Sequence, residues 1–182
     1  VIHGMISSEK EVVPFETPIN PAEARGMVEI WLVQVEKAML YNVRRVAGNG
    51  IDAYPETPRK QWVLNWPGQV VINGSQVFWT EEVATAIKTG TLNERLQLLN
   101  AQILDIVELV RGKLSMGERI SLGALTTIDV HARDVVQELV DAKISSELDF
   151  MWLSQLRYYF EQEERQLWVH IINTEYKYGN EY

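Results

Sequence analysis

The chain has no cysteine among its 182 residues, which excludes disulfides and thiolate metal sites and fits a reducing compartment. It also lacks any apolar run that approaches the ~20 residues a membrane-spanning helix needs. Basic residues are in the minority, since 17 Lys and Arg stand against 25 Asp and Glu. The resulting net charge of −8 repels the phosphate backbone of nucleic acids on average, so nucleic acid is not an expected partner.

Sequence motifs for catalysis are equally scarce. The only Gly-Lys pair is Gly112-Lys113, and position 107, where a phosphate-binding loop requires glycine, is a valine. The chain has no Gly-x-Ser-x-Gly motif for a nucleophilic serine. His131 and Asp134 have the spacing to touch one cation, but a surface histidine beside a carboxylate is the commoner arrangement. We therefore expect no catalytic residue, cofactor-binding residue or metal ligand in this chain.

Proline is confined to the front of the chain, because all six prolines lie within the first 67 residues. Since proline breaks helix interiors, this distribution predicts long, uninterrupted helices in the rear part. Residues 1–20 contain two of the prolines and are predicted to form an extended lead-in. Asn20-Pro21 predicts a helix start, with a capping side chain followed by proline at the first helical position.

Apolar residues then recur at steps of three and four, at Val28, Leu32, Val35, Met39 and Val43. This spacing predicts a helix that ends near Ala47, where Gly48-Asn49-Gly50 would stop it. Residues 48–60 are predicted to be a loop, and residues 58–65 a short helix.

The rear part of the chain is predicted to hold three more helices and then two strands. Steps of four and three from Leu92 to Val110 predict a helix of ~20 residues, about 30 Å long. A second helix is predicted at residues 118–142, and a last one from Ser145 to Phe160. Residues 167–172 are aromatic and β-branched, as is typical of a strand, and a second short strand is predicted at 174–178.

Residues 69–79 fit two different structures. Written as QVVI-NG-SQVFW, they predict a β-hairpin with a two-residue Asn-Gly turn, which intrinsic propensity favours. At helical spacing, Val70, Gly74 and Val77 share one face of a helix that Pro67 starts and Gly90 ends. The residues alone leave both structures open.

Several longer motifs resemble those of one protein family. The segment DFMWLSQLRYY at 149–159, followed by YGNEY at 178–182, resembles the end of the linker of dynein heavy chains. Further similarities to that linker lie at 4–15 (GMISSEKEVVPF), 28–39 (VEIWLVQVEKAM), 62–70 (WVLNWPGQV), 109–114 (LVRGKL) and 130–136 (VHARDVV). The last three motifs are more similar to ciliary than to cytoplasmic members. Asn180 departs from the pattern, because the family usually has an aromatic residue there.

The resemblance implies a mechanical role. In the family, the linker is a curved helical rod that lies across a ring of AAA+ modules and bends with their nucleotide state. By position, this chain resembles the half of the linker next to the first module, and residues 69–79 are expected to be helical as in the family. ATP and Mg²⁺ are expected only in the downstream AAA+ modules. The expected partners are the AAA+ ring of the same heavy chain and, only through the parent protein, the microtubule and dynein light or intermediate chains.

Together, these observations predict a mainly α fold, an elongated antiparallel helical bundle with a small C-terminal β-hairpin, and they predict that β structure is confined to residues after about 166. Residues 1–20 are predicted to be the lead-in, 21–144 the helical segment, and 145–182 a terminal helix and hairpin that join the ring. The expected localisation is the cytoskeleton of a cilium or flagellum. An adaptor domain that binds a partner helix is the main alternative, and an enzyme whose site assembles only in three dimensions is a more remote one.

The candidate coupling residues all lie in this terminal segment. Its aromatic side chains are expected to form the seam where the last helix packs on the strand, and Tyr159 in particular also has the character of a contact residue for another module. The residues predicted to couple the chain to the ring, or to hold the joint together, are Trp152, Gln155, Arg157, Tyr159, Trp168 and Tyr178.

Overall fold

The computed structural model describes residues 1–8 and 10–179, so Glu9 and the motif positions Asn180, Glu181 and Tyr182 lie outside the described residues. Two small antiparallel sheets flank a set of α-helices, and the predicted mainly α fold with a C-terminal β-hairpin is confirmed. The elements are β1 (Ile2–Ile6), β2 (Val12–Ile19), a 3₁₀ helix (Pro21–Ala24), α1 (Val28–Ala53), α2 (Arg59–Asn65), α3 (Gly68–Thr89), α4 (Leu92–Arg111), α5 (Met116–Asp141), α6 (Phe150–Leu153), β3 (Arg157–Glu161), β4 (Gln166–Ile171) and β5 (Thr174–Lys177).

The extended lead-in is a β-hairpin, in which β1 pairs with β2 antiparallel. The prediction that β structure is confined to the end of the chain is therefore wrong. Phe15 of β2 is buried, and β2 packs along α1, which gives these strands a surface to cover. Gly4 permits the close pairing, because a Cβ atom there would lie 2.7 Å from the carbonyl oxygen of Val13.

The helix after Asn20-Pro21 is shorter than predicted, and α1 is longer. Asn20 caps only the 3₁₀ helix, where its Oδ1 accepts a hydrogen bond from the Ala22 amide at 3.2 Å. The predicted stop at 48–50 is wrong, because α1 continues to Ala53. Gly48 and Gly50 serve close packing instead: a Cβ atom at Gly48 would lie 2.5 Å from the guanidinium of Arg165.

Residues 69–79 are helical, and the hairpin that propensity favoured does not form. Residues on every side of α3 in this stretch are buried, which is the pattern of a core helix. Gly74 lies beneath Trp62 of α2, since a Cβ atom there would be 2.8 Å from the indole ring. The Asn-Gly pair therefore allows a close helix contact and forms no turn.

The two long rear helices lie close to their predicted positions. Leu99 and Ile106 of α4 are buried in two neighbouring clusters of the core, to which α3 and α5 also contribute. A capping box starts α5: the amide of Ser115 donates to the Glu118 carboxylate at 2.6 Å, and Ser115 Oγ accepts from the Glu118 amide at 3.3 Å.

The predicted helix at 145–160 is wrong for most of its length. Only the four residues of α6 are helical, and β3 begins at Arg157. The C-terminal sheet thus has three strands in the order β3-β4-β5, all antiparallel, where two were predicted. Tyr158 and Phe160 alternate with Tyr159 because pairing with β4 imposes a period of two on this stretch. Among the residues described, no helix is long and apolar enough to cross a membrane.

Candidate functional site

Trp152 lies in the main core and not at the C-terminal sheet. It is 1% exposed and packs on Trp79 of α3, with ring centroids 5.5 Å apart. Its position follows from α6, whose first turn is capped by Asp149, where Oδ1 accepts from the Met151 amide at 2.9 Å. The structure therefore separates Trp152 from the other predicted aromatic residues and places it among α3, α4 and α5.

Tyr159 and Trp168 do meet, on the face of the C-terminal sheet that points away from the helices. They are directly paired across β3 and β4, and the Tyr159 ring lies 4.4 Å from that of His170. Lys177 of β5 places its ammonium 5.4 Å from the centre of the Trp168 ring. We call this surface the outer face. Tyr159 is 37% exposed there, so the outer face combines aromatic rings with cations at the surface.

The opposite surface of the sheet, which we call the inner face, packs on α1 and α3. Its side chains and those beneath them form one hydrophobic cluster, made of Ile51, Val77, Phe78, Tyr158, Phe160, Leu167 and Tyr178. Burial raises the pKa of the Tyr158 phenol above its ordinary value, so the ring is neutral against this apolar surface. The sheet is thus fixed to the helices by apolar burial.

A hydroxyl group also connects β3 to α3. Thr80 of α3 is fully buried, and its Oγ1 donates to the carbonyl oxygen of Gln76 at 2.8 Å. Thr80 Oγ1 also accepts a hydrogen bond from the backbone amide of Tyr158 at 2.9 Å. A buried backbone amide without an acceptor costs free energy, so Thr80 satisfies a group that the sheet presents to the helix.

The turn between β3 and β4 is attached to the C-terminal end of α1 through Arg165. Its guanidinium contacts the Asp52 carboxylate at 2.5 Å and donates to Asn49 Oδ1 at 3.0 Å. The same group lies 5.4 Å from the Phe160 ring and covers Gly48, where any larger residue would displace it. The sheet is therefore held at its turn as well as along its inner face.

Tyr178 closes the sheet on the side of α3. Its backbone amide donates to the carbonyl oxygen of Leu167 at 2.8 Å, and its carbonyl accepts from Gln166 Nε2 at 3.1 Å. Its hydroxyl accepts a hydrogen bond from Gln69 Nε2 in the first turn of α3. Tyr178, just beyond the end of β5, is thus tied both to the sheet and to the helices.

Arg157 and Gln155 lie at the junction of α6 with the sheet. Arg157 is buried and donates from Nη2 to the carbonyl oxygen of Ile172 at 3.2 Å, while the Ile172 amide donates to the Leu153 carbonyl at 2.7 Å. Gln155 donates from Nε2 to the Met151 carbonyl at 3.0 Å. Arg157 therefore braces the turn between β4 and β5, and Gln155 braces the end of α6.

Two ion pairs lie apart from this site, and each joins two helices; the side chains of Asp129 and Arg95 are buried, while that of Glu82 is 37% exposed. Arg59 of α2 donates to both carboxylate oxygens of Asp129 of α5 at 2.9 Å, and Arg95 of α4 is paired with Glu82 of α3. Burial raises the pKa of Asp129 and of Glu82 above their ordinary values. Burial also lowers the pKa of Arg95. Each carboxylate is matched by one arginine.

No three metal-ligating side chains come together within residues 1–8 and 10–179. Asp134, predicted as a possible companion of His131, instead pairs with Arg133 at 2.6 Å. His131 borders a cavity of about 500 Å³ between α3, α5 and the segment that holds Gln155. The chemistry assembled around the C-terminal sheet is therefore hydrogen bonding, ion pairing and aromatic packing, which is suited to holding one element on another.

Comparison with known proteins identifies the family that has this sequence. The profile of the family described as "Dynein heavy chain, N-terminal region 2" matches residues 1–50. Human dynein axonemal heavy chain 3 is 58% identical over 181 residues, mouse dynein axonemal heavy chain 12 is 52% identical over 183, and human dynein axonemal heavy chain 1 is 46% identical over 182. The chain belongs to the dynein heavy-chain family. The resemblance found in its motifs, to the ciliary type, is thereby confirmed.

The matches cover all of this chain but only 4% of heavy chains 3 and 1 and 6% of heavy chain 12. The chain thus corresponds to a small part of the dynein heavy chains that it matches, in their N-terminal region and not in a catalytic AAA+ module.

Sequence reasoning named Tyr159 and Trp168 of this dynein segment, as part of a seam between a helix and a strand, but missed the residues that fix the sheet to the helices. No sequence motif marks Thr80 or Arg165, because the partner of each is distant in sequence. The separation is 78 positions between Thr80 and Tyr158 and 113 positions between Arg165 and Asp52. The available signal was Gly48, which was interpreted as a helix stop, although a glycine within a helix can also indicate close approach of another group.

Proposed function

We propose that this chain is the ring-proximal part of the dynein linker, a lever that bends and straightens with the nucleotide state of the AAA+ ring and so drives minus-end-directed movement along microtubules. The observation that carries the proposal is the attachment of the C-terminal sheet to the helices. The inner face, the Thr80 hydroxyl and the Arg165 guanidinium hold the sheet on α3 and α1. A lever needs such a joint, because a loose one lets the ring change state without moving the helices.

The proposal assigns the chain a mechanical role and places the chemistry elsewhere. Residues 145–182 form the joint to the first AAA+ module, and ATP with Mg²⁺ binds only in the modules of the ring. The partners are that ring directly and, through the parent protein, the microtubule and the light or intermediate chains. The axonemal names of the relatives support a location in the axoneme of a cilium or flagellum.

The outer face is the part of the joint that meets the ring. Tyr159, Trp168 and Lys177 present aromatic and cationic groups on the side of the sheet that the helices leave open. Aromatic side chains with one exposed edge are enriched at protein interfaces. Arg157 supports this surface by holding the turn between β4 and β5, and Gln155 by holding the end of α6.

Inserting a flexible segment tests the lever. A Gly/Ser insert of roughly ten residues after Tyr178, in the full-length heavy chain, leaves every anchor of the sheet in place and loosens only the connection between the sheet and the ring. ATPase activity is expected to persist, while microtubule gliding slows or stops.

The matched control is the same insert after Gly112, in the connection between α4 and α5. It adds the same length and flexibility at a surface turn away from the joint, and gliding is expected to be unchanged. Unchanged gliding with the insert after Tyr178 would mean that force passes through other contacts along the chain, and would refute the stiff-joint mechanism.

An adaptor that binds a partner is the second candidate, and the start of α1 favours it. Five large apolar side chains there are exposed, namely Met27, Val28, Ile30, Leu32 and Val33. Val33→Glu in the heavy chain separates the two functions. If the chain is an adaptor, one specific protein should no longer co-purify with the variant. If it is a lever, the same set of proteins should co-purify, and gliding should change only if this surface packs within the linker.

A further inference from the structure

The tip of the β1–β2 hairpin contacts the first turn of α3 through one carboxylate. Glu11 Oε1 accepts a hydrogen bond from the Gly68 amide at 2.7 Å and from Ser121 Oγ at 3.3 Å. Pro67, at the N-cap position of α3, supplies no side-chain cap. Glu11 therefore satisfies an amide at the positive end of a 22-residue helix from 57 positions away in sequence.

Gly68 is fitted to this contact. A Cβ atom there would lie 2.6 Å from Ser121 Oγ and 3.2 Å from Glu11 Oε1. Any larger residue would therefore displace the two side chains that meet the helix end. The contact joins three elements at one point: the hairpin, α3 and α5.

The hairpin is held on α1 by a separate set of polar contacts. The Glu16 amide donates to Asn42 Oδ1 at 3.0 Å, the Tyr41 hydroxyl donates to Glu16 Oε2 at 2.8 Å, and Arg45 donates to the Pro14 carbonyl at 3.2 Å. Between these contacts and Glu11 lies an apolar cavity of about 280 Å³, bordered by the hairpin, α1 and the start of α3. Because packing is incomplete there, the hairpin depends on its polar contacts for its position.

The residue after Gly68 holds the C-terminal sheet. Gln69 donates from Nε2 to the Tyr178 hydroxyl and to Asn73 Oδ1 at 3.3 Å. The hairpin and the C-terminal sheet, at opposite ends of the described chain, are thus fixed by adjacent residues of a single helical turn. Fraying of this turn would release both contacts together.

We propose that Glu11 is a positioning residue for the C-terminal joint: by capping α3 it keeps the first turn of that helix wound, and the wound turn holds Tyr178. Release of Glu11 lets the first turn open, and the C-terminal sheet loses its contact with Gln69. The hairpin thereby influences the stiffness of the sheet through α3. This inference goes beyond the lever function and holds whether or not the chain acts as a lever.

Hydrogen exchange measured by mass spectrometry on the full-length protein that carries this chain tests the proposal. Glu11→Ala is expected to speed exchange roughly 3- to 10-fold at the start of α3 and in β4 and β5, the range that corresponds to losing one hydrogen bond. Glu11→Gln keeps an acceptor oxygen and loses only the charge, so a smaller increase in the same peptides is expected. It serves as the second variant if Glu11→Ala fails to fold.

Glu16→Ala is the matched control, because it removes a carboxylate of the same hairpin whose partner lies on α1. Its effect is expected to stay within the hairpin and α1. An effect of Glu11→Ala confined to the hairpin would overturn the proposal, as would equal acceleration of β4 and β5 by both variants.

The coupling between the hairpin and the C-terminal sheet can also be measured in the opposite direction. If the two contacts share one turn, Tyr178→Phe speeds exchange in the hairpin, and the effects of Tyr178→Phe and Glu11→Ala on the first turn of α3 are not additive. Additive effects would show that the contacts are independent, and the proposal would be wrong even if the lever function stands.

Discussion

Replacing Thr80 with valine isolates one of the bonds that hold the C-terminal sheet on the helices. Valine has nearly the same shape as threonine, so packing against the inner face is kept while the oxygen is lost. The Tyr158 amide then has no acceptor at a position where Thr80 is fully buried. The Gln76 carbonyl is affected less, since a helix carbonyl also has its backbone partner.

The two hydrogen bonds of Thr80 are expected to contribute unequally to the free energy of unfolding. Leaving one buried donor unsatisfied costs ~1–3 kcal/mol, whereas a threonine bond to a carbonyl of its own helix contributes close to nothing. Thr126→Val measures the second contribution alone, because Thr126 Oγ1 donates to the Leu122 carbonyl at 2.7 Å and accepts no hydrogen bond from the described part of the chain. The difference between the two variants should therefore be about 1–3 kcal/mol.

Urea unfolding of both variants measures this difference, and thermal unfolding checks it, since 1 kcal/mol shifts Tm by roughly 2–4 °C in a chain of this size. Hydrogen exchange at the Tyr158 amide gives a local readout. If Thr80→Val and Thr126→Val lower the free energy of unfolding by the same amount within ~0.5 kcal/mol, the bond to Tyr158 contributes nothing and Thr80 does not help to hold the sheet.

Two further predictions concern the helices. Leu99→Ala should lower the free energy of unfolding by ~2–5 kcal/mol by leaving a cavity, because Leu99 is 4% exposed. Ile103→Ala should lower it by less than half as much because Ile103 is half-buried, and urea unfolding measures both variants. Gly123→Ala should stabilise the chain by ~0.4–1 kcal/mol because nothing lies within 4 Å of its Cβ position, whereas Gly74→Ala should destabilise it by forcing a methyl group against Trp62. Comparing Tm for the two glycine variants checks both signs, and a shift in the same direction would contradict the packing described for α3.

The sequence was a good guide wherever a helix has a clear apolar stripe. The bounds of α4 and α5 could be predicted within a few residues because Leu92 to Val110 and Leu125 to Leu139 repeat at helical spacing. The end of α1 could not, since Gly48 and Gly50 signal a helix stop and a close contact equally well. Only the position of Arg165 distinguishes the two.

The largest error, at residues 154–160, also has a long-range cause. The aromatic residues there were assigned to the helix predicted at 145–160, and one turn of that helix does form, at α6. The helix ends because Tyr159 pairs with Trp168 in β4, a contact that no local pattern contains.

The candidate site was predicted in the same uneven way. Residues with exposed aromatic or charged character, such as Tyr159 and Trp168, were identified, but Thr80 depends on a bond across 78 positions.

Two ion pairs restrict how the helices can move past one another. Arg59 with Asp129 joins α2 to α5, and Arg95 with Glu82 joins α4 to α3. A slip of one helical turn, about 5.4 Å along the axis, would separate such a pair. For Arg59 and Asp129, whose side chains are 13% and 9% exposed, separation leaves uncompensated charges out of water at a cost of ~3–5 kcal/mol, and the cost is smaller for the second pair because Glu82 is 37% exposed. Apolar side chains alone would permit sliding, because one leucine replaces another with little loss. The charges favour one register for each of these helix pairs, so a load applied at one end is expected to displace α2 with α5, and α3 with α4, without shear within either pair.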